Sequence, residues 1–272
     1  MTSSEFAEIP RDQWYVEIAP PAQLADCVLC LWEMRIPAMP GTARVRILPN
    51  ACVDIVLYGS ETSRGEGSAA IVAPPHRSYV VGSTLRSFIV ESVGWRHVLG
   101  VSLKPEGTQP LLGIPAAVIG ESVALLDDVI GAEAGVIEER VLGGPAEGSM
   151  GRLADCLIER RRAAEAPDET ARRAVALIHG ASGRKRIDSL LGDLNVSARR
   201  LERNFLTHVG MSPKLFSRLV RFDRAVRDLG ARGATPWSQF ALAHGYTDQA
   251  HFINEFREFA GVTPAEFAKE SS

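Results

Sequence analysis

The chain has 272 residues, a formal net charge of −3 and 46% hydrophobic residues, enough apolar material to core two domains. It has no run of about 18 apolar residues, and its start, Met1-Thr2-Ser3-Ser4-Glu5-Phe6, lacks the basic and apolar stretches of a signal peptide. The expected compartment is therefore the cytoplasm, with no membrane partner.

From about Pro10 to Ile130 the sequence reads as mainly β. Short β-prone runs recur at Tyr15–Ile18, Leu31–Ile36, Val45–Leu48, Val53–Tyr58, Ala70–Ala73, Tyr79–Val81, Phe88–Glu91 and Val98–Leu103, with Gly, Pro and Ser between them. This spacing predicts a barrel or a sandwich. The Gly/Ser-rich, charged stretch Gly59–Ser68 reads as a mobile hairpin loop. Helices are expected at Pro110–Ile114, Pro115–Ile119, Ala132–Leu142 and Met150–Ala164, and Ala164–Thr170, with Pro167, as the linker. The expected division is residues 1–166, a β-rich domain with a helical tail, and residues 167–272, an all-α domain, α+β in all.

Charge follows that division. From Asp168 onward 16 Lys and Arg stand against 12 Asp and Glu, net +4, while the preceding part has 14 against 21, net −7. An acidic sensor joined to a basic nucleic-acid reader has this asymmetry.

Cys27 and Cys30 form a C-x-x-C, but Val28, Leu29, Leu31 and Trp32 make the run apolar and no second Cys or His pair is near in sequence. Buried free thiols are the expectation for Cys27, Cys30, Cys52 and Cys156. His76 and His97 do not supply the two or three His plus carboxylate of a metal-dependent barrel enzyme. Neither a metal, a cofactor nor a catalytic residue is therefore expected. Trp32, Arg46, Asp54, Arg86 and Trp95 are the candidates for lining a small-molecule pocket, since aromatic walls with a few fixed polar groups suit one. The competing reading places the two tryptophans in a core or interface and pairs Asp54 with an arginine.

The segment from about Ile187 to Phe267 repeats itself. Ser197, Leu201, Phe205, Gly210, Pro213 and Phe216 recur 51 positions later as Asp248, Phe252, Phe256, Gly261, Pro264 and Phe267. In the first copy Ile187, Leu190, Leu191 and Leu194 have helical spacing, Asn195 suits a left-handed turn, and Ser197 suits the N-cap of a second helix. In the second, Trp237, Phe240, Ala241 and Leu242 form the first helix, Gly245 the turn and Asp248 the cap, with Thr247 as one extra turn residue. Short helix, tight turn and capped helix is the helix-turn-helix order. Between the copies Pro213 opens a helix running to Leu229, with Gly230 expected at C′. At about 17 residues it spans roughly 25 Å, a strut able to hold two recognition helices about one turn of B-DNA apart. Its Arg218, Arg221, Arg224 and Arg227 read either as phosphate clamps or as a solvated face laced to Asp223 and Asp228.

The run Gly245-Tyr246-Thr247-Asp248-Gln249-Ala250-His251-Phe252, followed by Phe256, Arg257, Gly261, Thr263 and Pro264, resembles the signature of the AraC/XylS family of transcription regulators, over about the last hundred residues. Leu191 departs from the usual Ala, Asn195 from the frequent Gly, and Glu202 places a carboxylate on the first recognition helix. Less sharply, Leu48–Val56, Gly100–Pro105 and Leu111–Ala116 are similar to a domain of uncharacterised function that often precedes this module. Many sensor domains of the family are cupin-like barrels.

The resemblance implies a one-component transcription regulator, not an enzyme, whose partner is double-stranded DNA. By it, Arg199, Glu202 and Arg203 fall at base-contacting positions, and the exposed Ala198, Arg199, Glu202 and Arg203 of the first helix have Gln249, Ala250, Ile253 and Asn254 as their equivalents on the second. Arginine suits guanine O6/N7, the amides suit adenine N6/N7, Ala250 a thymine methyl and Glu202 a cytosine amino group. Arg200, Arg221 and Arg257 are assigned to phosphate. A small effector, RNA polymerase and a second copy of the chain stay open as further partners. Also open are an effector-independent regulator whose N-terminal domain only makes protein contacts, and an enzyme fused to a DNA-binding module.

Overall fold

A computed structural model describes residues 15–35, 43–59, 78–92, 97–233 and 235–270. The expected strand at Ala70–Ala73, all but the first residue of the Gly59–Ser68 loop, and His76 and Trp95 lie outside the described residues. The strands are β1 (Tyr15–Ile18), β2 (Val28–Met34), β3 (Ala43–Ile47), β4 (Asp54–Tyr58), β5 (Ser78–Val81), β6 (Phe88–Ser92), β7 (Val98–Leu103) and β8 (Val123–Leu125). All pair antiparallel, in a six-stranded sheet of order β1-β2-β7-β4-β5-β8 and a two-stranded sheet β3-β6.

Side chains alternate between sheet faces, and in the large sheet both faces are apolar. One face carries Leu31, Ile55, Leu57, Val80, Leu99, Val101 and Leu103; the other carries Trp32, Val56, Tyr58, Tyr79 and Val98. A sheet buried on both sides needs continuous apolar runs rather than strict alternation, and Ile55-Val56-Leu57-Tyr58 is such a run. Trp32 pairs with Gly100 across β2 and β7. A Cβ at Gly100 would lie 2.5 Å from Trp32 Cζ2 and 2.6 Å from the Ile55 carbonyl, so only glycine admits the indole there.

The first face is covered by α1 (Thr108–Leu112), α3 (Leu126–Ile130), α4 (Glu133–Leu142) and α5 (Ser149–Arg162), with α2 (Ala116–Ile119) beside them. Arg161 fastens α5 to Asp26 at 2.6 Å, and Arg160 bonds the Leu111 carbonyl and Glu133. The sequence expectation omitted β8 and α3, each too short to carry a period.

The helical region follows as α6 (Glu169–Gly180), α7 (Ile187–Leu194), α8 (Ala198–Val209), α9 (Pro213–Leu229), α10 (Trp237–Ala243), α11 (Gln249–Ala260) and α12 (Pro264–Glu270). The strut α9 is capped by Ser212, whose hydroxyl accepts from the Leu215 N–H, with Pro213 at N1. It sends Phe216 to one side, 5.7 Å from Phe205 of α8, and Phe222 to the other, 5.2 Å from both Phe256 and Phe259 of α11. These rings are at most 1% exposed, and each fully buried phenylalanine stabilises by about 1.5–3 kcal/mol. The end of α9 departs from expectation. Gly230 is right-handed (φ −62°) and opens a short 3-10 turn, Gly230–Arg232, and the left-handed residue is Gly233 at φ +56°.

The apolar cluster of the β-rich half reaches Ile158 and that of the helical half begins at Ala171. Leu48, Ala51 and Leu85 of the β-rich half pack against the helical cluster. No helix among the described residues is long and apolar enough to cross a membrane.

Gly183, between α6 and α7, sits at φ +70°, and a Cβ there would meet the Ser217 carbonyl of α9 at 2.2 Å. Both the conformation and the backbone approach demand glycine. Gly183→Ala is expected to lower stability by about 3 kcal/mol in denaturant melts followed by far-UV circular dichroism; a change below about 0.5 kcal/mol would contradict this seating of the α6–α7 turn on the strut.

Candidate nucleic-acid interface

Two helix-turn-helix units are built by local chemistry. In the first, Asn195 ends α7 at φ 51°, ψ 50°, and the Ser197 hydroxyl accepts from the Arg200 N–H at 3.3 Å to start α8. In the second, Gly245 takes the turn at φ +79°, and Asp248 Oδ1 accepts from the His251 N–H at 2.8 Å to start α11. Such caps satisfy N–H groups that the helix itself leaves unpaired. Leu201 and Phe205 on α8, like Phe252 and Phe256 on α11, are fully inward.

The opposite faces carry the candidate readers. Ala198, Arg199, Arg200, Glu202 and Arg203 of α8 are exposed, as are Gln249, Ala250, Asn254 and Arg257 of α11. Among the described residues the side chains of Arg199, Arg200, Arg203 and Arg257 enter no hydrogen bond or ion pair, so their guanidinium donors are uncommitted. His251 is engaged locally: its Nδ1 lies 3.0 Å from Thr247 Oγ1 and its ring stands edge-on to Tyr246.

Arg221 is the exception, and its assignment to phosphate is corrected. Its guanidinium, 15% exposed, donates to both oxygens of Glu255 at 2.8 and 3.0 Å and lies 4.6 Å over the Tyr246 ring. Arg218 donates to the same carboxylate at 2.7 Å and to Glu258 at 2.6 Å. Glu255 is only 4% exposed, so both cations are spent on fixing α11 to the strut. The sequence reading missed Glu255. Its signal was there in two complementary rows, Arg218 and Arg221 three apart on α9 facing Glu255 and Glu258 three apart on α11. The other strut arginines form i,i+4 pairs, Arg224 with Asp228 at 2.8 Å and Arg227 with Asp223 at 3.0 Å, the laced solvated face.

Of the pocket candidates, Trp32 and Asp54 share one face of the large sheet, where Ser102 Oγ donates to Asp54 Oδ1 and the Trp32 indole also bonds its carboxylate. Burial raises the Asp54 carboxyl to about 6 against these two donors. Among the described residues Asp54 thus pairs with no arginine. The reading of Arg46 as a pocket residue is corrected, because Arg46 lies on the other sheet and its Nη1 donates to the Ala260 carbonyl of α11 at 3.2 Å. Arg86 is exposed, and Trp95 is outside the described residues. His97 bonds Glu33 at 2.6 Å, and no group of three or more His, Cys, Asp and Glu among the described residues is arranged to hold a metal ion. The Cys27 thiol is pushed up to about 12 by burial and by Asp26.

Residues 190–270 match the family model of a helix-turn-helix domain. The C-terminal unit is an AraC-type helix-turn-helix domain. Ahead of this AraC-type unit, residues 16–124 match a domain of unknown function (DUF6597). No curated relative matches the chain. Among solved structures, the chain is similar to the C-terminal domain of AraT, a response regulator from Geobacillus stearothermophilus, at 25% identity, covering 38% of this chain and 86% of that one with a TM-score of 0.36. It is also similar to ToxT from Vibrio cholerae, at 13% identity over 84% of this chain and 97% of ToxT, TM-score 0.44. A ToxT structure with unsaturated fatty acid bound gives 12% identity, 94% and 95% coverage and a TM-score of 0.41. At such scores the likeness carries no functional weight.

Removing the carboxylate from the Arg218–Glu255–Arg221 group leaves the partly buried Arg221 guanidinium uncompensated and Arg218 with Glu258 as its remaining carboxylate partner. Glu255→Ala is expected to cost about 3–5 kcal/mol, read as a fall in the denaturant midpoint; a cost under about 1 kcal/mol would show that the pair is not what fixes α11. A second expectation concerns pH. The folded state binds the Asp54 proton more tightly than the unfolded chain, so this group's contribution to stability falls as pH rises from about 4 to about 6 and is flat above. Asp54→Asn is expected to remove that slope and to raise the thermal midpoint at pH 7.5. A wild-type slope in the variant would contradict it.

Proposed function

We propose that the chain is a one-component transcription regulator in which residues 167–272 read double-stranded DNA and residues 1–166 regulate the reading. The observation that carries this is the pair of capped helices, α8 and α11, tied to one strut and presenting uncommitted guanidinium and amide groups on their outer faces. Arg199 and Arg203 are assigned to guanine O6/N7, Gln249 and Asn254 to adenine N6/N7, Ala250 to a thymine methyl and Glu202 to a cytosine amino group. Arg200 and Arg257 take phosphates, which set register without reading sequence. A strut of 17 residues suits helices entering successive major grooves on one side of the duplex. The face bearing Trp32 and Asp54, aromatic with a buried carboxylate, is proposed as the seat of a small effector.

The test is selection of bound duplexes from a random pool, followed by insertion of about five base pairs, half a helical turn, between the two selected elements. Two elements one turn apart are expected, with specific binding abolished by the insertion. Unchanged affinity would overturn the two-groove reading.

A further inference from the structure

The last turn of α11 leaves its final carbonyls without partners inside the helix, as every helix does, and gathers partial negative charge there. Here those carbonyls are met from the β-rich half. The Ser87 N–H donates to the Phe259 carbonyl at 2.8 Å, the Ser87 hydroxyl to the Ala260 carbonyl at 2.5 Å, and Arg46 Nη1 to the same carbonyl at 3.2 Å. The docking segments are themselves held. Asn50 and Thr84 exchange backbone hydrogen bonds of 3.0 and 3.1 Å, and Ile47 pairs with Phe88 where β3 ends and β6 begins. Leu48, Ala51 and Leu85 then seat this corner on the apolar cluster of the helical half.

The first recognition helix is held at the same end by the same half. A Cβ at Gly210, the left-handed C-cap of α8, would stand 3.3 Å from the backbone of Ala116 in α2, which runs beside α8, and the Pro105–Gly107 turn lies against α8 and α6. The caps at the other ends, Ser197 and Asp248, are exposed. Both recognition helices are thus joined twice, through the strut and through the β-rich half.

We propose that Arg46 and Ser87 are positioning residues for DNA recognition: the N-terminal half supplies donors to the last two carbonyls of the second recognition helix and thereby fixes its spacing from the first. This rests on the two-groove reading above. Since one base pair moves an element by about 3.4 Å and about a tenth of a turn, a braced pair of helices discriminates between spacers and an unbraced pair tolerates them.

The full chain is titrated against the selected duplex and against duplexes with one base pair added to or removed from the spacer. Wild type is expected to prefer the selected spacer by about tenfold or more. Arg46→Met with Ser87→Ala, which keeps the apolar stem of Arg46 and removes the side-chain donors, is expected to reduce that preference to about threefold or less. Arg46→Lys, still a donor to the carbonyl, is expected to retain it. If the double variant melts early, Arg46→Met alone is read in its place. An unchanged preference, or an equal loss of affinity on all three spacers, would overturn the brace while leaving the reader intact. Absence of any sequence preference in wild type would overturn the two-groove reading and the brace with it.

Discussion

The arrangement of the second helix-turn-helix depends on one buried carboxylate. Glu255 takes hydrogen bonds from Arg218 and Arg221, and the same guanidinium groups lie over the Phe259 and Tyr246 rings at 4.9 and 4.6 Å. Ions removed from water are tolerated only when geometry and further contacts compensate the lost hydration, and here the fork of Arg221 grips both carboxylate oxygens while its flat face covers an aromatic ring. The result is a fixed angle between α11 and the strut. Apolar contacts of Phe222 with Phe256 and Phe259 supply the burial, but close-packed rings alone tolerate several packings. The ion group selects one of them.

The two repeats solve the same problem differently. The position in α8 equivalent to Glu255 is Asn204, which donates to Asp168 Oδ1 at 2.9 Å, the same carboxylate oxygen that caps α6. The first recognition helix is therefore tied to α6 and the second to the strut α9. Divergence at this one inward polar position lets two copies of one motif occupy unlike surroundings. It also places the polar tie of the first unit beside the linker, and that of the second on the strut.

Features dictated by a residue and its near neighbours were legible in the sequence. Ser197 and Asp248 as caps, Asn195 and Gly245 as turns, and the inward rows of both recognition helices depend on separations of a few residues, which one sequence displays. The strand runs were legible for the same reason, though not the order β1-β2-β7-β4-β5-β8, which is set by long-range pairing. Arg221 and Arg46 were misassigned because an arginine's partner is a property of the fold: Glu255 lies 34 positions from Arg221, and the Ala260 carbonyl lies 214 positions from Arg46. Gly230 was misplaced because Gly233 offers the same left-handed freedom three residues later. Of the pocket candidates, Trp32 and Asp54 come together on one sheet face, while Ser102, which donates to Asp54, gave no signal beyond a polar residue in an apolar strand.

The central claim is that one chain presents two recognition helices to successive major grooves. Guanine-N7 methylation interference on a selected duplex, run at a measured stoichiometry, tests it directly, because the methyl group blocks the major-groove edge at each position separately. The account predicts two clusters of interference about ten base pairs apart on one side of the helix, produced by a single bound chain. One continuous cluster, or two clusters that appear only with two chains bound, would contradict it.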